Sequence, residues 1–309
     1  NGTSSVKTIL ISGGTGFVGA ELVTQLTGRG DRVLVLTRNK TAKRAAGLPP
    51  GAELVEWDAY HAGDWFRHVD GCDAVVHLAG EPVIGTRWNE AFKRRVMDSR
   101  VVPANLIVDA IERAQDRPGV FVTASGVGYY GDTHSPCPED APAGNDFLAG
   151  VTVAWEGAAQ RAEQFGVRVV RARLGIVLGS NGGALEQMVK PFKLFAGGPI
   201  GSGDQIVSWI HLTDCVRMLM RAIDDGDLSG PINVTAPEPV SNAELAASIG
   251  SVLHRPSSVN VPAFALKLRF GEGATPLLTG QPAIPLAMQQ RGFEWSYPKL
   301  EGALREALG

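Results

Sequence analysis

A chain of 309 residues with 44% apolar content can bury a large core, enough for one large domain and a smaller lobe. Its 29 Lys and Arg against 32 Asp and Glu leave a formal net charge of −3, which gives no electrostatic case for nucleic acid or an anionic membrane as partner. No apolar stretch approaches the ~20 residues that span a bilayer and no signal pattern opens the chain, so the expected setting is cytoplasmic.

The first residues, Asn1–Ser5, read as a polar tail. Strands are then predicted at Thr8–Ser12, Arg32–Thr37, Ala52–Trp57, Ala74–Leu78, Gly119–Ala124 and Val167–Arg173, from short runs rich in β-branched residues. Helices are predicted at Gly16–Thr27, Ala62–His68, Asn89–Arg113 and Phe147–Phe165. That alternation predicts an α/β fold, a Rossmann-like doubly wound parallel sheet. After Gly175 the rhythm changes. Glycine clusters at 179–183 and 197–203, helices at Thr213–Asp224 and Asn242–Leu253 and a strand at Pro231–Thr235 suggest a mixed lobe. Ser241 is the expected N-cap of the Asn242 helix. From Val261 onward, prolines among scattered aromatics predict a helical cover. The expected division is a nucleotide-binding domain over 1–174 and a smaller, mostly helical substrate lobe over 175–309, with segments free to cross back. Cys72, Cys137 and Cys215 form no Cys-x-x-Cys pair and predict neither a disulfide framework nor a zinc site.

The spacing Gly13-x-x-Gly16-x-x-Gly19 joins the first strand to the first helix. Strand, glycine turn and helix N-terminus are the parts that hold a dinucleotide pyrophosphate. Gly13 would permit the turn, Gly16 would let the backbone approach the phosphates, and Gly19 would let helix and strand pack closely. Thr15, Phe17 and Val18 complete this stretch. The second strand ends in Thr37 and Arg38, where NAD-binding folds carry an Asp or Glu for the ribose hydroxyls. Arg38, followed by Lys40, Lys43 and Arg44, attracts a 2′-phosphate that a carboxylate would repel, so NADP(H) is the expected cofactor. Lys40, Lys43 and Arg44 also read as an ordinary solvated face. Asp58, after the third strand, is placed to meet the adenine edge. His77-Leu78-Ala79-Gly80, closing the fourth, brings backbone beside the nicotinamide end.

With these pieces in hand, the chain resembles an extended-type short-chain dehydrogenase/reductase of the NAD(P)-dependent epimerase/dehydratase family. The resemblance rests on the glycine turn, His77 to Gly80, Thr123-Ala124-Ser125, Tyr129-Tyr130-Gly131-Asp132, Arg173 to Gly179 and Ser208-Trp209-Ile210-His211. More narrowly it is similar to an atypical branch called epimerase family proteins, which adds Ala79-Gly80-Glu81-Pro82, Ser99-Arg100, Trp155-Glu156 and a C-terminal domain of unknown function.

The resemblance implies an oxidoreductase or epimerase acting on a small polar substrate, in the sugar or nucleotide-sugar class, as a monomer or homodimer. It also implies a Ser, a Tyr and a Lys four residues after that Tyr. Ser125 matches the serine. The Tyr and Lys positions fall at Leu148 and Thr152, and the chain has no Lys between Lys93 and Lys190, so the pair is missing. Ionising an unperturbed Tyr at neutral pH costs about 4 kcal/mol. Tyr129 or Tyr130 would therefore act as neutral phenols with Ser125, or serve as packing and pocket walls. Glu81 is read as an acid or base, or as a carboxylate bonded to nearby backbone N–H groups. His211 is read as a substrate contact or a hydrogen bond between lobes, Arg100 as a clamp for phosphate or carboxylate, and the 197–203 loop as a flexible wall of the cleft. A non-catalytic NADP(H)-binding sensor is the competing function.

Overall fold

The computed structural model describes residues 6–180 and 182–309. The tail read at Asn1–Ser5 lies outside the described residues. Eleven strands occur among them. They are β1 Thr8–Ser12, β2 Arg32–Thr37, β3 Ala52–Glu56, β4 Ala74–His77, β5 Val120–Gly126, β6 Arg168–Leu174, β7 Ile176–Leu178, β8 Ile206–Val207, β9 Trp209–His211, β10 Gly230–Val234 and β11 Val240–Ser241. Seven of them make one sheet in the order β10-β6-β5-β4-β1-β2-β3, every neighbouring pair parallel. The expected doubly wound α/β fold is therefore present.

Parallel strands need crossover connections, and those connections cover both faces of the sheet. Period-two alternation sorts the side chains. Ile9, Ile11, Val33, Val35, Val76 and Val122 point to one face, under helices α1 (Phe17–Arg29) and α6 (Leu212–Asp224). Leu10, Leu34, Val75 and Phe121 point to the other, under α3 (Glu90–Arg113). The stretch expected as a helix at Ala62–His68 is a 3₁₀ turn over Asp64–His68. The helix expected over Phe147–Phe165 is α-helical to Gln160 (α4) and 3₁₀ from Arg161.

Beyond residue 175 the chain supplies both bodies. The strand Gly230–Val234 returns as the seventh strand of the large sheet, beside β6, and α6 packs on the face that holds α1. A separate core gathers Leu185, Val189 and Phe192 from α5 (Gly183–Lys193), Leu245 and Ile249 from α7 (Asn242–Leu253), and Leu300 and Leu304 from α11 (Leu300–Leu308) around Trp209. Ser241 caps α7 in a full capping box with Glu244. Three short helices, α8 (Ala263–Phe270), α9 (Thr275–Leu278) and α10 (Leu286–Gln290), lie between α7 and α11.

The loop at 197–203 is tied down rather than free. Val259 N donates to Gly197 O at 3.1 Å, Val261 N to Pro199 O at 3.0 Å and Gly201 N to Val261 O at 2.9 Å, and Ile200 N donates to the Asn242 side chain at 2.7 Å. The flexibility expected from its glycines is thereby limited, because its backbone groups are satisfied by a neighbouring segment.

Candidate active site

The glycine turn, Arg38, Asp58, residues 78–81, and Ser125 with Tyr129 and Tyr130 follow the carboxyl ends of β1, β2, β3, β4 and β5 respectively, where open α/β sheets hold ligands. The glycine turn is packed to its limit. Gly13 sits at φ 74°, and a Cβ there would come within 2.7 Å of the Leu78 and Ala79 backbone. A Cβ on Gly19 would overlap the Gly13 carbonyl oxygen. Helix α1 starts at Gly16 with no side-chain cap and no acidic residue in its first turn. Asn89 caps α3, Asp146 caps α4 and Ser241 caps α7, whereas the helices that begin at Gly183, Ala263 and Leu300 share the lack of a side-chain cap. An uncapped N-terminus of a 13-residue helix leaves N–H groups and a positive dipole end for an anion. Thr15, Phe17 and Val18 are half-buried around it, with the Phe17 ring against Gly179, Gly182 and Gly183.

At the other side of this turn, Thr37 is buried and bonded within its own loop to Asn39. Arg38 is exposed and, with Trp57, Asp58, His61 and Trp65, lines a cavity of about 350 Å³. Among the described residues no carboxylate pairs with Arg38, Lys40, Lys43 or Arg44 within 4.0 Å, although Arg32 nearby is paired with Glu53. The Asp58 carboxylate accepts Tyr60 N and His61 N, both at 2.8 Å, and meets His61 Nδ1 at 2.5 Å. That His61 contact, with the backbone bonds, lowers its pKa. Asp58 is thus a cavity wall whose carboxylate is engaged by its own turn.

Leu78, Ala79 and Gly80 run from β4 across the glycine turn into Glu81. The backbone of Glu81 is held at both ends, its N donating to Ser99 Oγ at 3.0 Å and its O accepting Arg100 Nη2 at 2.9 Å. Its carboxylate has no protein partner among the described residues, so the reading in which it bonds backbone N–H groups does not hold in this structure. Arg100 lies 3.1 Å from where a Gly80 Cβ would stand and over the Trp155 ring at 5.3 Å. Burial pulls its pKa down to about 10, opposed by Glu81, and it forms no ion pair within 4.0 Å among the described residues. Beneath it, His77 is fully buried, with Nδ1 2.5 Å from Ser12 Oγ and Nε2 unpartnered. Burial pushes this imidazole down to about 4, so it is neutral at physiological pH.

The next strands carry a different arrangement. Ser125 is buried and donates to Glu156 Oε1 at 2.8 Å. Glu156 receives Arg173 through two bonds, at 2.7 and 2.9 Å. Arg173 Nη1 also donates to Tyr130 Oη at 3.0 Å, and Tyr130 donates onward to Asn233 Oδ1 at 2.7 Å. Asn233 closes the chain by donating to the carbonyls of Cys137 and Ile284. Burial pushes the Tyr130 phenol up to about 12 despite the guanidinium beside it. Burial alone would lower Arg173, but the Glu156 carboxylate more than offsets this and holds it above the ordinary range. The half-buried Tyr129 ring lies face-on to the Arg173 guanidinium at 3.4 Å. Ser125, Tyr129 and Tyr130 thus form one cluster, and Glu81 belongs to another with Arg100.

The positions where the resemblance calls for Tyr and Lys face this strand end. Leu148 lies 3.6 Å from a Cβ built on Gly128, and Thr152 Oγ1 bonds back to Leu148 O and Ala149 O. His211 turns to the C-terminal helix, its Nε2 2.6 Å from Glu306. Sequence reasoning gave no role to Glu156, Arg173 or Asn233. The available signal was charge inside apolar surroundings: a carboxylate among the Ala and Val of α4 and a guanidinium in a central strand each demand a partner.

A parallel seven-stranded sheet with a glycine turn at its first strand defines a dinucleotide-binding protein of the Rossmann class. The chain belongs to the NAD dependent epimerase/dehydratase family, which matches residues 9–235, and residues 261–307 match a domain of unknown function, DUF1731. It is 42% identical over 307 residues to the epimerase family protein SDR39U1 homolog, chloroplastic, of Arabidopsis thaliana, covering 98% of this chain and 87% of the relative. Among solved structures it is similar to human epimerase family protein SDR39U1 (isoform 2) with NADPH. That match has a TM-score of 0.85 and 35% identity and covers 97% of this chain and 98% of the other. It also matches a nucleoside-diphosphate sugar epimerase of Corynebacterium glutamicum, with a TM-score of 0.79 and 31% identity over 99% of this chain and 59% of that one. The resemblance read from the motifs is therefore correct at the level of the family.

Proposed function

We propose that this chain is an NADPH-dependent oxidoreductase or epimerase-like enzyme for a small polar substrate, working without the usual Tyr-x-x-x-Lys pair. The observation that carries the cofactor is the uncapped, acid-free N-terminus of α1 above a turn in which Gly13 and Gly19 admit no side chain. In this reading Gly13, Thr15, Gly16, Phe17 and Val18 seat the pyrophosphate. Thr37, Arg38 and Asp58 flank the adenosine, with Arg38 on the 2′-phosphate, and Leu78, Ala79 and Gly80 lie beside the nicotinamide half. The human relative crystallised with NADPH supports that choice.

Bound there, the nicotinamide supplies or accepts a hydride. The protein must then hold the substrate oxygen and move one proton. Ser125 and Tyr130 already spend their hydroxyl protons on Glu156 and Asn233. Glu81 has a free carboxylate on a backbone clamped by Ser99 and Arg100, so it is the group assigned the proton. Arg100 is the cation available to an anionic group on the same edge. Tyr129, held on Arg173, offers a neutral phenol to the oxygen where charge develops.

The test is NADPH binding by fluorescence, followed by oxidation of the bound cofactor against a panel of carbonyl compounds and nucleotide sugars. Glu81→Gln should lower turnover by roughly 100-fold or more while leaving NADPH affinity intact. Turnover equal to wild type would remove Glu81 from the mechanism. A second reading, an NADP(H) sensor, is favoured by the engagement of Ser125 and Tyr130 inside the protein. Tight NADPH binding with no oxidation across the panel would select it.

A further inference from the structure

Helix α8 is turned inside out. Its most exposed residues include Leu268 at 78% and Phe264 at 73%, four apart on one face, with Lys267 and Arg269 exposed beside them. None of its residues is fully buried. A second apolar projection stands at the other end of the segment that leads into α8, where Leu194 is 78% exposed and Phe195 61%, the latter at φ 59°. The two are joined by the backbone ladder between 197–201 and 259–261, and a Cβ on Gly201 would lie 3.8 Å from Ala263 Cβ at the start of α8. The half-exposed Val259 lies on that ladder. Single exposed apolar residues are ordinary, but a ridge of them carried on two adjoining segments marks a contact surface.

The charges around the ridge decide what it contacts. Segments 187–203 and 254–271 hold Lys190, Lys193, Arg255, Lys267 and Arg269, bordered by Glu186, Asp204 and Glu272. Lys193 shares a groove with Glu186 and Glu306, and Glu272 is taken up by Lys93, so the cations nearest the exposed apolar side chains are Arg255, Lys267 and Arg269. None of the five pairs with a carboxylate among the described residues, and Arg255 instead lies over the Phe195 ring at 4.7 Å. Arg87, from the neighbouring loop, donates to Leu268 O. In a chain of net charge −3, Arg255, Lys267 and Arg269 thus stand without carboxylate partners among the described residues beside protruding Phe and Leu side chains.

We propose that this ridge docks the protein on an anionic lipid surface, with Phe195, Phe264 and Leu268 among the acyl chains and the cations at the headgroups. The apolar groups protrude from a helix and a turn rather than lining a groove, which suits insertion into a lipid interface better than a protein helix or peptide. No described helix is long and apolar enough to cross a membrane, so the attachment is peripheral, reversible and salt-sensitive. The low net charge of the whole chain hides this local excess.

The experiment is co-sedimentation of the full chain with vesicles of phosphatidylcholine, alone or with about one third phosphatidylglycerol. Binding should appear on the anionic vesicles and fall as salt rises. F264S/L268S should weaken it at least roughly tenfold, and K267E/R269E as much, since each surface cation is worth roughly fivefold. Both variants should keep wild-type NADPH affinity and melting behaviour, because these side chains are exposed and outside the nucleotide site. Equal binding to neutral and anionic vesicles, no binding to either, or binding unaffected by K267E/R269E would overturn the proposal. So would a concentration-dependent dimer abolished by F264S/L268S in the absence of lipid, which would assign the ridge to a second copy of the chain.

Discussion

Around the Gly13–Gly19 turn, a helix N-terminus has neither side-chain cap nor acid, and Arg38 and its cationic neighbours have no carboxylate partner among the described residues. Two strands away in the same sheet, Ser125, Glu156, Arg173, Tyr130 and Asn233 answer one another through bonds of 2.7–3.0 Å. The first region leaves groups of the kind that suit an anion. The second is complete within the protein. An unsatisfied polar group is costly only when buried, so open features are tolerable at a solvent-facing edge, while an interior charge must be hydrogen-bonded, as Arg173 is to Glu156 and Arg100 to the Glu81 carbonyl. The location of unanswered groups therefore separates ligand-facing residues from structural ones, even where both come from the same family motifs.

The sharpest way to break the contrast is to remove one charge of the closed network. Glu156→Leu leaves the Arg173 guanidinium buried without its partner and should destabilise the fold by about 3–5 kcal/mol in urea unfolding. NADPH affinity of the protein that remains folded should change little, and an unaltered unfolding midpoint would show that the network is not what secures this edge.

His77 lies between the two regions and ties stability to pH. Its folded pKa, near 4, lies below the ordinary 6.5. The neutral ring is thus favoured in the folded state, and its contribution is complete above pH 6.5. It is lost as the pH falls from there through 4, by about 3 kcal/mol. His77→Asn should flatten the stability curve over that window, and identical acid profiles for the two proteins would exclude His77 as the cause.

Arg38→Asp acts on the open region alone. It should weaken NADPH by roughly tenfold or more relative to NADH, with stability unchanged. Equal losses for both cofactors, measured by the same titration, would remove Arg38 from the 2′-phosphate.

Much of the open region was legible because it is local. Gly13, Gly16 and Gly19 fall within seven residues, and the backbone conformation they serve is a property of that short segment. The strands Thr8–Ser12 and Arg32–Thr37 and the Ser241 cap likewise follow from neighbouring residues, and all are found as read. Glu81 was legible as a candidate, but not as a group whose backbone is clamped by Ser99 and Arg100 from α3. The loop at 197–203 looked mobile because its glycines are visible in sequence, whereas the Val259–Val261 segment that ties it is some sixty residues away.

By itself, then, the sequence determined the parallel α/β sheet, the dinucleotide turn and the cationic end of β2, all set by residue type and short spacing, and its family resemblance showed that the Tyr-Lys pair is missing. Only the tertiary structure decided which polar side chains remain available. Tyr130 and Asn233 are 103 positions apart when they bond, and Ser125 and Glu156 are 31 apart. It also decided that Phe264 and Leu268 face outward among unpaired cations. Hydrogen bonding and burial depend on what another part of the chain brings within about 3 Å, and no local pattern encodes that distance.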